Sequence, residues 1–516
     1  MTGVAGVLEE ERKFEVDEAF VMPDLDAAAP EGGQVIPLPA VTLRATYYDT
    51  ADRRLARAGV SLRHRRGEAP EKAWTVKLPS EVEGTRHELS RPGPPTEIPT
   101  ELLELVTAYH RGAPLEPAAV LRTVRRTYEI QDHDHRVLAE VADDTVSVLD
   151  GRKTTLKFRE IEVERKAGGP KVLDRAERLL RKAGATGGDF TPKHVRALRV
   201  GDQPPDLTAP SRLPRKPDVG EVVAAALRTD IGRIFAFDPF VRLRDPLPDG
   251  DTPVHQMRVG TRRLRSDLRT FGPLLDAAWS AQLRSELGWL AEVLGVARDA
   301  EVLRARLRRP AAADPLAPLD GAAVARIDAE LTVRHEEALA DLDEALSSPR
   351  YLDLLDLLVE AARAPKIAAD AHRAAVKALP GLVLRPWRKL VHGSGPIPGA
   401  TVLLQNSPDE EWHAVRIQGK RARYATDAVA AVIGGGAAAL AAALGRVQNL
   451  LGEHQDAAVA ADTWLEIAKS DPDDHALAVT AGRLYERERA AVRQARAGFP
   501  DAWAAATKKK VTEWLN

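Results

Sequence analysis

The stretch LEEERKFEV, residues 8–16, alternates its side chains with a period of two from Glu9 onward. Alternate residues of a β-strand share a face, so Glu9, Glu11 and Lys13 point one way while Phe14 and Val16 point the other. The same texture recurs as VTLRATYYDT (41–50), VSLRHRR (60–66), KAWTVKLP (72–79) and TRHELS (85–90). It continues as VRRTYEI (124–130), RVLAEVADDTVSVL (136–149) and LKFREIEVERK (156–166). Turn residues separate these segments, which therefore read as antiparallel strands, and a helix is predicted over about 172–183.

One charged strand face could simply be solvated. Here the charge recurs on strand after strand: Arg63 with Arg65, Lys77, Arg86 with Glu88, Arg125, Glu140 with Asp144, and Glu160 with Glu162 and Glu164. The opposite faces carry Leu62, Trp74, Val76, Ile161 and Val163. Like charges on one face repel unless metal ions or counter-charges neutralise them, so a closed sheet lined this way would hold divalent cations against a polyanion.

The EEERK segment carries a Glu-x-Glu-x-Lys signature, and with the segments YYDTADRRLARAGVSLRHRR, KAWTVKLP, FREIEVE and TPKHVRAL it resembles the CYTH domains, or triphosphate tunnel metalloenzymes, over residues 7–200. The resemblance implies an eight-stranded antiparallel tunnel barrel. It further implies that Glu9, Glu11, Glu160 and Glu162 hold Mg2+ or Mn2+, assisted by Asp144 and Glu164. Arg63, Arg65, Lys77, Arg125 and Lys193 would grip phosphate oxygens, with Lys13 and Arg86 nearby. Glu9, Glu11, Lys13, Glu160 and Glu162 form the implied catalytic set.

A Pro-rich, aperiodic stretch over 201–219 reads as a linker between domain 1–200 and a helical domain 220–506, followed by a tail 507–516. The helical half repeats itself: VHQMRVGTRRLRSDLRTF (254–271) is echoed by WHAVRIQGKRARYATDAV (412–429), and LGVARDAEVL (294–303) by LGEHQDAAVA (451–460). Two copies in one order imply helical bundles related by an approximate twofold. His255, Arg258, Arg262, Arg265 and Arg269 fall on one helical stripe, and His413, Arg416, Lys420 and Arg423 on a second. Thr252 before Pro253, and Ser407 with Glu410 in a capping-box relation, are the predicted helix starts.

This half resembles the CHAD domains, conserved-histidine α-helical domains often found behind CYTH domains. That resemblance implies a basic groove for inorganic polyphosphate, with Asp299 and Asp456 orienting the cations and Arg385 and Arg388 extending the groove. The whole is thus expected to be a multidomain α+β protein, a metal-dependent inorganic triphosphatase fused to a polyphosphate-binding module. Alternatives are a non-enzymatic polyphosphate-binding or granule-targeting protein, and a hydrolase of an organic triphosphate such as thiamine triphosphate.

Composition narrows the partners. The 516 residues carry 74 Lys and Arg against 76 Asp and Glu, so any anion site must come from local arrangement. There is no cysteine, which leaves oxygen or His ligands for a metal and fits a reducing cytoplasm. Aromatics at 5% disfavour nucleic acid. Residues 1–14 reach a charge cluster before an apolar signal core can form. The run 428–445, mostly Ala and Gly and interrupted at Gly434, Gly435 and Gly436, reads as a buried helix-turn-helix rather than a membrane span. The cytoplasm is the expected location, with association to polyphosphate granules as an added expectation.

Overall fold

The computed structural model describes residues 7–67, 69–80, 85–187, 191–201, 203–247, 250–311 and 317–515. The charge-poor start of the chain, residues 1–6, lies outside the described residues. Two compact units divide at Leu207 and Thr208.

The first unit contains β1 (Val7–Val16), β2 (Gln34–Pro37), β3 (Val41–Asp49), β4 (Ser61–Arg66), β5 (Trp74–Pro79), β6 (Thr85–Arg91), β7 (Glu116–Gln131), β8 (Val137–Asp150) and β9 (Lys153–Arg165). Short helices α1 (Arg54–Arg57), α2 (Thr100–Leu105) and α3 (Thr107–His110) sit in the connections, and α4 (Pro170–Lys182) and α5 (Lys193–Leu198) follow β9. Going round, β7, β3, β4, β5, β6, β1, β9 and β8 pair antiparallel, and β8 returns to β7, closing an eight-stranded barrel. The short β2 pairs with β7 at 128–131, just beyond the stretch of β7 that pairs with β3. The sequence reading missed β2, whose four residues run into Pro37, and the first half of β7, where Pro117, Ala118 and Ala119 show no alternation.

Apolar outward faces are covered locally. Phe14, Val141, Ile161 and Val163 pack on Val172, Leu173, Ala176 and Leu180 of α4, each large aliphatic contributing about 1.5–3 kcal/mol on full burial. Pro170 opens α4, where its missing N–H costs no helical hydrogen bond. In the tight connection after β3, the Asp49 carboxylate accepts from the backbone N–H groups of Thr50, Leu55 and Ala56 at 2.8–3.0 Å, fixing α1 and the path into β4.

The second unit is helical: α6 (Val219–Leu243), α7 (Pro253–Thr270), α8 (Ala277–Ala311), α9 (Gly321–Ser347), α10 (Pro349–Arg363), α11 (Ala375–His392), α12 (Asp409–Ile433), α13 (Gly435–Ser470), α14 (His475–Ala506) and α15 (Lys509–Thr512). Helix α7 packs on α6 and α8 as α12 packs on α11 and α13, and α7 meets α12. The duplicated segments therefore occupy equivalent places in two runs of helices, α6–α9 and α11–α14. Gly434, at φ +85°, ends α12 where the glycine run interrupts the pattern. Residues 509–515 form α15 and a short 3-10 turn against α13, with Val511 and Leu515 buried. Among the described residues no helix is long and apolar enough to cross a membrane.

The Thr252 side chain caps α7, accepting from His255 N at 3.2 Å. The corresponding capping box at Ser407 does not form: Pro408 precedes the first turn of α12, and Ser407 Oγ instead accepts from Leu404 N.

One buried acidic pair joins α6 to α7. Asp230 and Asp267 are 5% and 7% exposed, with Arg233 of α6, Arg263 of α7 and Asp427 of α12 around them. Burial, opposed by Arg263 and Arg233, pushes Asp230 up to about 7, and burial together with Asp230 raises Asp267 well above the usual range. The folded pair keeps a proton that the unfolded chain has released near pH 4, so stability falls as pH rises from about 4 to 7. Asp267→Asn should reduce that slope, about 1.4 kcal/mol per pH unit where one proton separates the states, to the part that the burial of Asp230 contributes. Urea midpoints of the helical signal at pH 4.5 and 7.5 check it; a slope unchanged in the variant means Asp267 does not hold a proton.

Candidate functional site

The barrel interior is a tunnel built by strand parity. Glu9, Glu11 and Lys13 of β1, Arg63 and Arg65 of β4, Lys77 of β5, Arg86 and Glu88 of β6, Arg125 of β7, Glu140 and Asp144 of β8 and Glu162 and Glu164 of β9 line it, closed on one side by Lys193 and His194 of α5. Glu11 lies across the ladder from Glu164, and Glu164 from Glu140, so three carboxylates span β1, β9 and β8 at one level. Such a row is unfavourable without cations between its members.

Cations stand there. Lys77 donates to Glu9 and lies 2.8 Å from Glu88. Lys13 is 3.0 Å from Glu11 and 2.6 Å from Glu162, and Lys166 is 2.6 Å from Glu164. Arg125 donates through two nitrogens to Asp144 at 2.8 and 2.6 Å and reaches Glu162 at 3.0 Å. Lys193 sits among Asp144, Glu160 and Glu162 at 2.7, 2.9 and 3.0 Å.

Burial and these partners divide the carboxyl groups. Burial pushes Glu9 up to about 7, against the pull of Lys77 and with the help of Glu88. Burial also raises Glu160, which is only 3% exposed and lies behind the open lining. For Glu162 burial is again the largest single influence, but Lys13, Lys193 and Arg125 together outweigh it and hold the group well below the usual range. Burial, Arg86, Lys13 and Arg63 drive His194 down to about 3, so its imidazole is neutral, stacked on Tyr47 at 5.5 Å.

Ten of the eleven residues expected to act on triphosphate, and Asp144 and Glu164 besides, line one tunnel, and the eleventh, Glu160, lies behind it, joined to Lys193. Sequence reasoning missed Tyr47, Lys72, Lys166 and His194 as lining residues. Lys166 continues the parity of Glu160, Glu162 and Glu164 and was legible on that ground. Lys72 lies in a 3-10 turn, where no period marks it.

Among the described residues no group of three or more His, Asp or Glu is preformed for a metal ion, because Lys and Arg side chains bridge the carboxylates. The carboxylate oxygens of the lining are hard donors, which suit Mg2+ and Mn2+. The lining counts nine Lys and Arg against seven Asp and Glu among the described residues. That surplus of two is small beside a tripolyphosphate, whose ends approach two charges each and whose middle carries one, about −5 in total.

In the helical unit the two stripes face one another. Arg258 and Arg262 of α7 act on Arg416 and Lys420 of α12. Asp299 lies 3.9 Å from Arg258 and Asp456 3.7 Å from Arg416, one acid per repeat. Gly288 of α8 and Gly445 of α13 occupy equivalent places, where a Cβ would stand 3.6 Å from Arg265 and 3.7 Å from Arg423. Among the described residues His255 Nδ1 has no hydrogen-bond partner, whereas His413 Nδ1 is bonded to Gln455. Burial, then Arg416, Arg262 and Arg258, lower Lys420 to about 7. Arg269 ends the first stripe, and Arg385 and Arg388 of α11 are both exposed.

The CYTH domain family matches residues 8–193 and the CHAD domain family residues 225–465. The uncharacterized protein Rv2226 of Mycobacterium tuberculosis is 31% identical over 508 residues, 93% of each chain. A CHAD domain from the plant Ricinus communis is 24% identical, with a TM-score of 0.43, covering 58% of this chain and 94% of its own. HpAC1 from Hippeastrum, an adenylyl cyclase candidate with a dominant triphosphatase activity, is 18% identical with a TM-score of 0.26, covering 38% of this chain and 96% of its own.

Proposed function

Because the chain belongs to the family in which a CYTH domain is followed by a CHAD domain, we propose that it is a divalent-metal-dependent inorganic triphosphatase fused to a polyphosphate-binding module. The observation that carries this reading is the charge balance of the tunnel: dense cations for phosphate oxygens, equally dense carboxylates, and a surplus too small to neutralise a triphosphate unaided.

Glu9, Glu11, Glu160 and Glu162, with Asp144 and Glu164, would hold Mg2+ or Mn2+. The ion would supply charge neutralisation on the phosphate chain and polarise its oxygens. Arg63, Arg65, Arg86 and Arg125 offer forked donors matched to phosphate oxygens, and Lys13, Lys77 and Lys193 offer point charges. Each of these three lysines now bridges two or more carboxylates. A bound ion would take over that neutralising task and release the ammonium groups to the substrate. The stripes of α7 and α12 would hold longer phosphate chains, successive cations meeting successive phosphates.

Phosphate release from tripolyphosphate, long-chain polyphosphate, ATP and thiamine triphosphate, each with Mg2+, Mn2+ or EDTA, tests the reading. Release is expected to be fastest from tripolyphosphate and absent in EDTA. Tight binding of tripolyphosphate without release under any condition would mark the barrel as a receptor, and thiamine triphosphate as the preferred substrate would displace the inorganic assignment.

A further inference from the structure

A second cationic cavity, of about 370 Å³, opens between α7, α11 and α12. Arg269, Arg385, Lys389 and Arg421 line it, and no acidic residue does. None of the four takes part in an ion pair among the described residues, and all four line one cavity. Their mutual cost is visible at Arg269, which burial, Arg421, Arg284 and Arg265 lower to about 10. A site that gathers uncompensated positive charge in this way is built for an anion.

Two features separate it from a track for bare phosphate. Its walls are largely apolar, formed by Pro273, Leu382 and Pro386. An inorganic phosphate chain has no apolar surface with which to cover them, so their desolvation would go unused. Gln418, 4% exposed on the α12 wall, has neither amide atom in a hydrogen bond, and an amide left unpaired in this way is costly unless a ligand or water satisfies it. At 3.6 residues per turn, Gln418 and Arg421 also lie on the flank of α12 turned away from His413, Arg416, Lys420 and Arg423. Arg269 is common to this cavity and the first stripe, and Arg385, expected to extend the groove, lines the cavity as well.

We propose that this cavity is a nucleotide site, taking a nucleoside polyphosphate with its phosphates on the four cations, its base against the proline and leucine walls and a base edge on the Gln418 amide. The site is independent of the triphosphatase reading, since it lies wholly in the helical unit.

Titration of the full-length chain with ADP in EDTA, followed calorimetrically beside pyrophosphate, tests it. ADP should bind about tenfold or more tighter than pyrophosphate, because only ADP uses the apolar walls and the amide. Lys389→Glu with Arg421→Glu should weaken ADP on the order of a hundredfold, two charge-assisted contacts being lost; Lys389→Gln with Arg421→Gln should show the same loss in milder form if the reversal perturbs folding. Gln418→Leu, which removes an amide with no hydrogen bond to the described residues, should weaken ADP about tenfold and leave pyrophosphate unchanged. Arg63→Glu, in the tunnel, should leave ADP binding as it is. Equal affinity for ADP and pyrophosphate, ADP binding indifferent to the α11 and α12 variants, or ADP binding lost in the tunnel variant would each overturn the proposal.

Discussion

Glu11→Gln is expected to reduce phosphate release from tripolyphosphate on the order of a thousandfold, the several kcal/mol of transition-state charge stabilisation that a correctly held divalent ion supplies. The substitution is nearly isosteric and removes one negative charge from the row that Glu11 forms with Glu164 and Glu140. In the metal-free chain that row is held together by Lys13 and Lys166. Relieving one of its charges should leave the thermal midpoint unchanged or slightly raised. The expected signature is therefore a loss of turnover without loss of fold, together with a higher Mn2+ concentration for half-maximal rate in whatever activity remains. Lost turnover with an unaltered Mn2+ dependence would place Glu11 outside the metal site, and undiminished turnover would defeat the metal assignment altogether.

The residues that made this tunnel legible did so through parity. Glu9, Glu11, Lys13, Glu160, Glu162 and Glu164 are spaced by two on strands long enough to show it, and the barrel brings them together because closure leaves each strand a single inner face. Parity does not say which inner residue meets which. That Lys193 lands among Asp144, Glu160 and Glu162, rather than standing ready for phosphate, depends on where α5 enters the barrel mouth, some thirty residues beyond β9 in sequence. His194 was hidden for the same reason: its stacking on Tyr47 is a tertiary contact with no local period. In the helical unit the repeat made both stripes readable, yet the buried Asp230 and Asp267 pair was invisible, because its partners come from α6, α7 and α12 at once.

The stripes carry the second large effect. Arg262→Glu combined with Lys420→Glu should weaken long-chain polyphosphate on the order of a hundredfold or more, and should lower the slope of log affinity against log salt by about 0.7 for each cation lost. Arg263 is adjacent in sequence, but it is a poor control: it lies 3.9 Å from Asp427 and beside Asp230 and Asp267, so Arg263→Glu would add a fourth carboxylate to that cluster and damage the fold. Arg334→Glu, on exposed α9 surface, serves instead and should cost little. The pH dependence follows from the same geometry. The stripes include Lys420, lowered to about 7 by burial and by Arg416, Arg262 and Arg258. Burial and Arg298 likewise lower His255. A bound polyanion reverses these penalties, so the complex holds protons that the free groove has released, and affinity should rise as pH falls through about 7. Calorimetry in buffers of different ionisation enthalpy should record proton uptake on binding. His255→Gln should leave part of that uptake, and the further change Lys420→Gln should remove most of what remains. If uptake near pH 7 survives the double variant intact, the protons enter elsewhere and the facing stripes are not the groove that binds.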